Sequence, residues 1–405
     1  MDILHCDLNN FYASVECAED PTLAGKCVAV SGNPEHRHGI ILAKNQLAKQ
    51  MGVKTGEAIW QAKQKCPDLV CVPPQFELYS HYSKAVRDIY LQYTDKVETF
   101  GLDECWLDVT HSKAFGTPVE IANKLRQEVK AKTGLTISVG VSFTKTFAKL
   151  GSDLKKPDAT TVINKENYKD VIWNLPVNEM LYIGTKTKQK LNSLGIFTLG
   201  ELANASPTLL KSKFGVNGVK IWQYARGEDD EQVSLYTAEK VVKSVGHGTT
   251  TIRDMTTRED VEKIVVFLSE MVATRLRKYG LLATTVHLDL RNSNLQHVSM
   301  QHGIHPTFVA SDIASLGMQL VDKLWDKKPL RSLTVSTANL IPVASNVQES
   351  MFEIHDEKKQ NLEIAIDQIR KKYGFFAIKK ANLLGNDLVC DKFSDDEDLI
   401  PFKRQ

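Results

Sequence analysis

The chain has 405 residues, 42% of them hydrophobic and 25% charged, with a formal net charge of +2. That length exceeds one ordinary core and predicts about two to four domains of a soluble globular protein. Near-neutral charge gives no bulk polybasic signal, so any nucleic acid must be held by placed cations rather than overall charge. In chain order, DILHCDL (2–8) reads as a short strand ending at Asp7, and FYASVECAE as a helix with Phe11, Val15 and Cys17 or Ala18 near helical spacing. KCVAVSG (26–32) is a strand, and HGIILAKNQLAKQMG runs from strand into a helix closed by Gly52. An amphipathic helix over 77–94 is built on Tyr79, Tyr82, Val86, Ile89 and Tyr90. FGLDECWLDV (100–109) reads as two short strands and TGLTISVGVSF (133–143) as a further one, which predicts a mixed α/β first half.

Residues 181–228 change to short helices with glycines at Gly184, Gly195 and Gly200. Exposed amides at such helix starts suit phosphate, although an ordinary helical hairpin has the same pattern. The acidic run GEDDE (227–231) leads into a polar linker. Residues 240–345 then alternate: a strand at VVKSVGHGTTTI, a helix over 259–279, a strand at TTVHLDLRNS, a helix over 311–326 and a closing strand at RSLTVSTANLI. That pattern predicts a small α+β domain of nearly balanced charge. Past 346 follows a tail with an amphipathic helix (358–373) and an acidic cluster, SDDED (394–398). No internal repeat is visible.

The seven cysteines are Cys6, Cys17, Cys27, Cys66, Cys71, Cys105 and Cys390. They are irregularly spaced with no CxxC, which argues against a zinc site or disulfide framework and for reduced cytosolic thiols. MDILHCDLNN lacks the segments of a signal peptide, and no run approaches the roughly 18–20 apolar residues that span a bilayer.

Within FGLDECWLDV, Asp103 and Glu104 interrupt an apolar strand pattern. In a regular strand one of them would enter a core unpaired, which is costly. A hairpin reversing at this pair lets both carboxylates converge with Asp7 from an adjacent strand. Three such groups suit magnesium, and two ions about 3.5–4 Å apart would serve phosphoryl transfer. Acidic residues at an exposed turn, and an Asp capping a strand end, satisfy the same pattern.

HCDLNNFYASVE beside FGLDECWLDV resembles the Y-family DNA polymerases, the translesion enzymes, and most closely their bacterial DNA polymerase IV (DinB-like) branch. The likeness continues through KCVAVSG, GVKTGE (52–57), VSFTKTFAKLGSDLKKP, IGTKTKQKLNSLGI and KSVGHGTTTIRD (243–254), collinear over roughly residues 1–350. It implies a multidomain α/β and α+β right-hand polymerase with palm, small fingers, helix-hairpin-helix thumb and α+β little finger. The corresponding boundaries are 1–11 and 78–166 for the palm, 12–77 for the fingers, 167–235 for the thumb, 241–346 for the little finger and 347–405 for the tail.

The resemblance implies a template-directed, error-prone polymerase acting in DNA damage tolerance. Its length leaves no room for a proofreading exonuclease. Asp7, Asp103 and Glu104 become the catalytic metal ligands, with the Leu8 carbonyl, for two Mg2+ ions. Asp108 has no such role and reads as structural. Asn10, Phe11 and Tyr12 would turn free helix amides to the triphosphate, with Tyr12 as steric gate against a ribose 2′-hydroxyl. Tyr12 also fits as an ordinary core tyrosine. Lys156 matches a phosphate-contacting lysine, although a solvated surface lysine would look the same.

The fingers depart from the family pattern. Gln46 and Lys49 stand where a Tyr and an Arg usually touch the triphosphate, so the planar fork is lost while a charge is kept. Gly39, Ile40 and Leu42 form a bulkier roof over the nascent base pair, which implies poorer bypass of bulky adducts. Gly101 replaces a usual serine. Gly184 and Lys186, with Lys188 and Lys190, would meet primer-strand phosphates. Ser244, Gly246, Thr249, Thr251 and Arg253 would lie along the DNA backbone. Arg275, Arg277 and Lys278 read as a solvated helix face.

QESMF (348–352) resembles a bacterial clamp-binding peptide, with Gln348, Met351 and Phe352 as anchors for the sliding clamp. The implied partners are primer-template DNA, a dNTP and the clamp, with no membrane, for a cytoplasmic monomer. Two rivals belong to other classes: a catalytically silent polymerase-like DNA-binding accessory, against which the intact carboxylates speak, and a two-metal nuclease, which needs neither Tyr12 nor Lys156.

Overall fold

The computed structural model describes residues 1–33, 37, 39–238, 241–343, 357–385 and 387–388. The chain divides into two compact units, Met1–Gly32 with Ile40–Ala238, and Asn33–Gly39 with Glu239–Asp395.

In the first unit, β1 (Ile3–Leu8) runs into α1 (Phe11–Glu19). Then come β2 (Val28–Ser31), β3 (Ile41–Lys44), α2 (Gln46–Gln50), α3 (Ile59–Lys65) and β4 (Val70–Val72), whose strands form a separate sheet in the order β3-β2-β4. The expected stop at Gly52 is present: its φ is +85° and its amide donates to the Lys49 carbonyl at 3.0 Å. Next are α4 (Phe76–Tyr90), the hairpin β5 (Val97–Phe100) and β6 (Glu104–Asp108), α5 (Pro118–Thr133), β7 (Ile137–Ser142), α6 (Lys145–Leu154) and β8 (Thr160–Ile163).

These strands make a five-stranded sheet in the order β5-β6-β1-β7-β8, with β1 central and buried throughout. Alternation along β1 divides its side chains. Leu4, Cys6 and Leu8 enter a core with Tyr79, Val86, Ile121 and Leu125 from α4 and α5. Ile3 faces the other way, with Trp106 and Ala148 of α6. There α6 lies against β7 almost backbone to backbone. A Cβ on Gly140 would fall 1.9 Å from the Ala148 carbonyl oxygen, so that position tolerates only glycine.

α7 (Tyr168–Ile172), α8 (Thr185–Asn192), α9 (Leu199–Asn204), α10 (Pro207–Phe214) and α11 (Val216–Ala225) complete this unit around Leu191, Leu199, Leu202, Leu210 and Ile221. Gly195, at φ +78°, makes the turn between α8 and α9, and Thr198 with Glu201 forms a capping box that starts α9.

The second unit contains β9 (Ser244–Met255), α12 (Arg258–Lys278), β10 (Leu281–Asn292), β11 (His297–Thr307), α13 (Ala310–Leu324), β12 (Leu330–Ala338), β13 (Ile341–Pro342) and α14 (Glu357–Tyr373). Its sheet has the order β11-β10-β12-β9, and α12 and α13 cover one face through Ile264, Leu268, Val272, Ile313 and Leu320. α14 docks through charge rather than its apolar residues. Arg277 lies 2.9 Å from Glu363 and 2.5 Å from Asp367, and Arg370 lies 2.9 Å from Glu270. The Arg277 side chain is therefore only 7% exposed and not part of a solvated helix face, because α14 covers it. Among the described residues no helix is long and apolar enough to cross a membrane.

Candidate active site

The hairpin expected at FGLDECWLDV is present, and its turn is one residue earlier than the acidic pair. Phe100 pairs with Glu104, leaving Gly101, Leu102 and Asp103 as the turn. Gly101 has φ +84°, a conformation that glycine adopts at no steric cost and that serine would find strained. Asp103 therefore stands outside strand alternation, while Glu104 obeys it. The Asp103 carbonyl accepts from the Leu8 amide at 3.0 Å, tying the turn to the end of β1.

Across β1 and β6, Asp7 is the direct partner of Glu104. Directly opposed side chains share one sheet face, and two like charges there repel unless cations intervene. α6 and the segment just after it supply those cations. Lys149 Nζ lies 2.8 Å from Glu104 Oε1 and 3.6 Å from Asp7 Oδ2. Lys156 Nζ lies 2.8 Å from Asp7 Oδ2 and 2.8 Å from Asp153 Oδ1, and the other Asp153 oxygen lies 3.3 Å from Lys149. On the same face, fully buried His5 has Nε2 3.4 Å from Glu104 Oε2, while its Nδ1 lies 2.8 Å from Ser152 Oγ.

The electrostatics follow from crowding and burial. Burial, then the Glu104 charge, pushes the Asp103 carboxyl up to about 6 and raises Asp7 as well. Burial also opposes ionisation of Glu104, yet His5 and Lys149 outweigh it and hold that carboxyl well below the usual range. Burial takes the His5 ring down to about 4, so it is neutral at pH 7. Lys149 and Lys156 hold their protons more tightly than usual, because the carboxylates overcome desolvation.

Hard oxygen donors stabilised by two ammonium groups suit a divalent cation. Among the described residues, no three His, Cys, Asp or Glu side chains are yet close enough to share one ion. Lys149, Asp153 and His5 were absent from the sequence reading. The i, i+4 and i+7 spacing of Lys149, Asp153 and Lys156 was the available signal. Asp108 has a structural role, with Lys96 at 3.0 Å and the Thr110 amide at 3.0 Å.

Beside the carboxylates, α1 begins at Asn10, which is left-handed at φ 52° and makes no side-chain cap. The first amides of α1 have no partner within the helix. The Phe11 side chain is buried in the core. The half-buried Tyr12 ring stacks on Tyr79 with centroids 4.2 Å apart, and burial and the nearby Asp103 charge raise its hydroxyl. Asn10 and Gln46 line one cavity of about 310 Å³ with Ser14, Cys17, Asn45 and Pro157. Lys49 is exposed on α2, and burial, then the nearby Lys49 charge, disfavours protonation of the half-buried Lys44. Of the roof residues, Gly39 is half-buried and Ile40 exposed, while Leu42 packs against the cluster containing Tyr79.

In the helical part of this unit, Gly184 precedes α8 and Lys186 is exposed. Lys190 instead covers the Phe214 ring and donates to the Lys213 carbonyl at 2.5 Å, so it is engaged in packing.

In the second unit, the reading of β9 is half a pleat out. Ser244 and Gly246 are exposed, as is Gly248, but Thr249 and Thr251 point inward. The Thr251 hydroxyl donates to the carbonyls of Arg253 and Arg331 at 2.6 and 3.2 Å. Arg253 is held by Asp260 and Asp387 at 2.9 and 2.8 Å. The outward surface continues across the sheet through Thr334, Ser336 and His287, small or weakly charged groups at registered positions. Gln348, Met351 and Phe352 lie outside the described residues.

Residues 6–153 match the impB/mucB/samB family, 242–351 its C-terminal domain, and 182–229 the DNA polymerase-iota thumb domain. The chain is 46% identical to the DNA polymerase IV of Acetivibrio thermocellus over 389 residues, covering 94% of this chain and 97% of the relative. It belongs to the Y-family DNA polymerases. This Y-family chain is also 34% identical to DNA polymerase IV 1 of Bacillus subtilis over 390 residues, covering 94% of the chain and 93% of the relative. In fold it is similar to the Y-family DNA polymerase chimera Dbh-Dpo4(243-245)-Dbh, with a TM-score of 0.75 at 24% identity, covering 84% of this chain and 100% of that one. Polymerases of this family depend on divalent metal ions.

Proposed function

We infer that this chain is a template-directed DNA polymerase of translesion type, adding dNTPs to a primer 3′ end without proofreading and serving DNA damage tolerance. One observation carries the reading: Asp7 and Glu104 are paired across β1 and β6, with Asp103 in the adjoining turn and the open start of α1 beside them. Kinship to DNA polymerase IV proteins along nearly the whole chain supports it, and nothing supports the catalytically silent alternative.

Asp7, Asp103, Glu104 and the Leu8 carbonyl would hold two Mg2+ ions. When bound, these supply Lewis acidity at the primer 3′-hydroxyl and offset charge on the triphosphate. Asp7 would exchange its ion pair with Lys156 for a metal ion, freeing that ammonium for a phosphate oxygen while Asp153 retains it. The α1 amides at Phe11 and Tyr12 would orient the triphosphate, and Gln46 and Lys49 would grip it from α2. Tyr12, braced on Tyr79, would exclude a 2′-hydroxyl. Gly39, Ile40 and Leu42 would roof the base pair.

By this reading, 1–11 and 78–166 form the palm, 12–77 the fingers, 167–235 the thumb, 241–346 the little finger and 347–405 a tail whose Gln348, Met351 and Phe352 engage a sliding clamp. The enzyme would act as a cytoplasmic monomer. Gly184 and Lys186, with the Ser244–Gly246–Gly248 row, would meet DNA phosphates.

Primer extension with and without Mg2+ tests the assignment. Asp103→Ala should abolish extension and leave primer-template binding intact. Extension by that variant at the wild-type rate would refute the catalytic assignment.

A further inference from the structure

We propose that Cys27 and Cys66 form a reversible disulfide that weakens the hold of α2 on the incoming nucleotide. The second half of this statement rests on the function proposed above. The first does not.

Cys66 caps the C-terminus of α3, and Cys27 leads into β2. Cys66 belongs to the small core of Ala29, Ile41, Ala48, Ala62 and Leu69, and Cys27 packs against it. The chain between them folds back tightly. The Leu69 amide donates to the Cys66 carbonyl at 3.1 Å, and the Val70 amide donates to the Cys27 carbonyl at 2.9 Å. Cys71 packs against the same core, and the Cys66 thiol lies close enough to Cys27 and Cys71 for both to disfavour its ionisation. Cys66 is 2% exposed, whereas Cys27 is half-buried and accessible. Cys6 and Cys105, cross-strand partners in the central sheet, are both buried and offer no such access.

The chemistry is thiol–disulfide exchange with a small disulfide such as oxidised glutathione. The Cys27 thiolate attacks one glutathione sulfur and expels glutathione thiolate, leaving a mixed disulfide. Cys66 loses its proton to solvent and attacks the Cys27 sulfur, expelling the second glutathione. Two electrons pass from the protein thiols to the oxidant, and two glutathione thiols leave. Burial and the neighbouring Cys27 push the Cys66 thiol up to about 11, which leaves the first attack to the accessible Cys27.

The route to α2 runs through Asn45. Its Nδ2 donates to the Lys26 carbonyl at 2.8 Å, and its Oδ1 accepts from the Val28 amide at 3.1 Å and from the Ala48 amide at 3.0 Å. One side chain therefore holds both neighbours of Cys27 and caps the helix bearing Gln46 and Lys49. A disulfide requires a sulfur separation of about 2 Å, so closure moves Cys27 and loosens that cap.

The test uses the full-length reduced protein treated with oxidised glutathione. Non-reducing peptide mapping should find residues 27 and 66 joined. The KM for dNTP in primer extension should rise about fivefold, the scale of a lost helix cap, and dithiothreitol should reverse both changes. Cys27→Ser should abolish the response, and Cys71→Ser should retain it. Glutathione adducts alone, a link to Cys71, or a mapped 27–66 link with unchanged KM would overturn the proposal. Lys49→Ala in reduced protein tests the nucleotide role of α2 by itself, leaving the peptide map as an independent readout.

Discussion

The carboxylate site of the first unit and the outward sheet face of the second solve opposite problems. At the first, Asp7, Glu104, Lys149, Asp153 and Lys156 lie within ion-pair contact of one another in a largely buried setting. At the second, Ser244, Gly246, Gly248, Thr334 and Ser336 present almost no charge. Bond-making requires concentrated field at fixed points. Holding a duplex of any sequence requires a surface that fits phosphate and sugar without reading bases.

The comparison breaks most sharply at Asp103. Replacing it with Ala should lower primer extension by about a thousandfold or more while leaving DNA affinity near wild type. Next is Lys149→Met, which leaves Asp7 and Glu104 facing each other with one cation fewer. Removing one partner of a buried charge set costs about 3 kcal/mol, measurable by urea unfolding without metal. Mg2+ should restore more stability to this variant than to wild type; equal responses would argue that Lys149 does not balance these carboxylates.

On the sheet, Gly248→Val would place a Cβ 2.3 Å from Thr334 Oγ1, closer than unbonded atoms can sit. It should destabilise by about 1–3 kcal/mol and weaken DNA binding while kcat on bound DNA is retained. The smallest effect is at Arg253. It holds the Asp260 carboxyl down to about 2, below its unfolded value near 3.9. That stability is present above about pH 4 and lost as pH falls through 2. Arg253 is 45% exposed, so screening limits the loss in Arg253→Ala to under about 1 kcal/mol. Acid unfolding should read it as a shallower limb between those pH values.

Much of this was legible in sequence because it follows hydrophobic period. The α4, α12 and α13 helices start and stop within a few residues of their apolar stripes, and the acidic pair in FGLDECWLDV does mark a hairpin. The remainder depended on registers that composition leaves open. In SVGHGTTTIRDM only Val245 clearly marks the inner face near the strand start, and threonine suits either side, so Thr249 and Thr251 were placed outward. β11 went unseen because nearly all its residues are exposed and it lacks alternation. The Lys149–Glu104 contact joins distant segments and required the packing of α6 on the sheet. The charged docking of α14 was hidden for a similar reason: Glu363, Asp367 and Arg370 find their partners on α12, far away in sequence.

The bare contact at Gly140 sets a clearance for the whole carboxylate site. α6 rests on β7 with no side chain between them, and the same helix delivers Lys149, Ser152 and Asp153 and leads to Lys156. One methyl group at position 140 would lift that helix as a lever lifts a plate, moving all four groups away from β1 together. A position with no polar atom on its side chain thus governs the spacing of nearly every charge in the site.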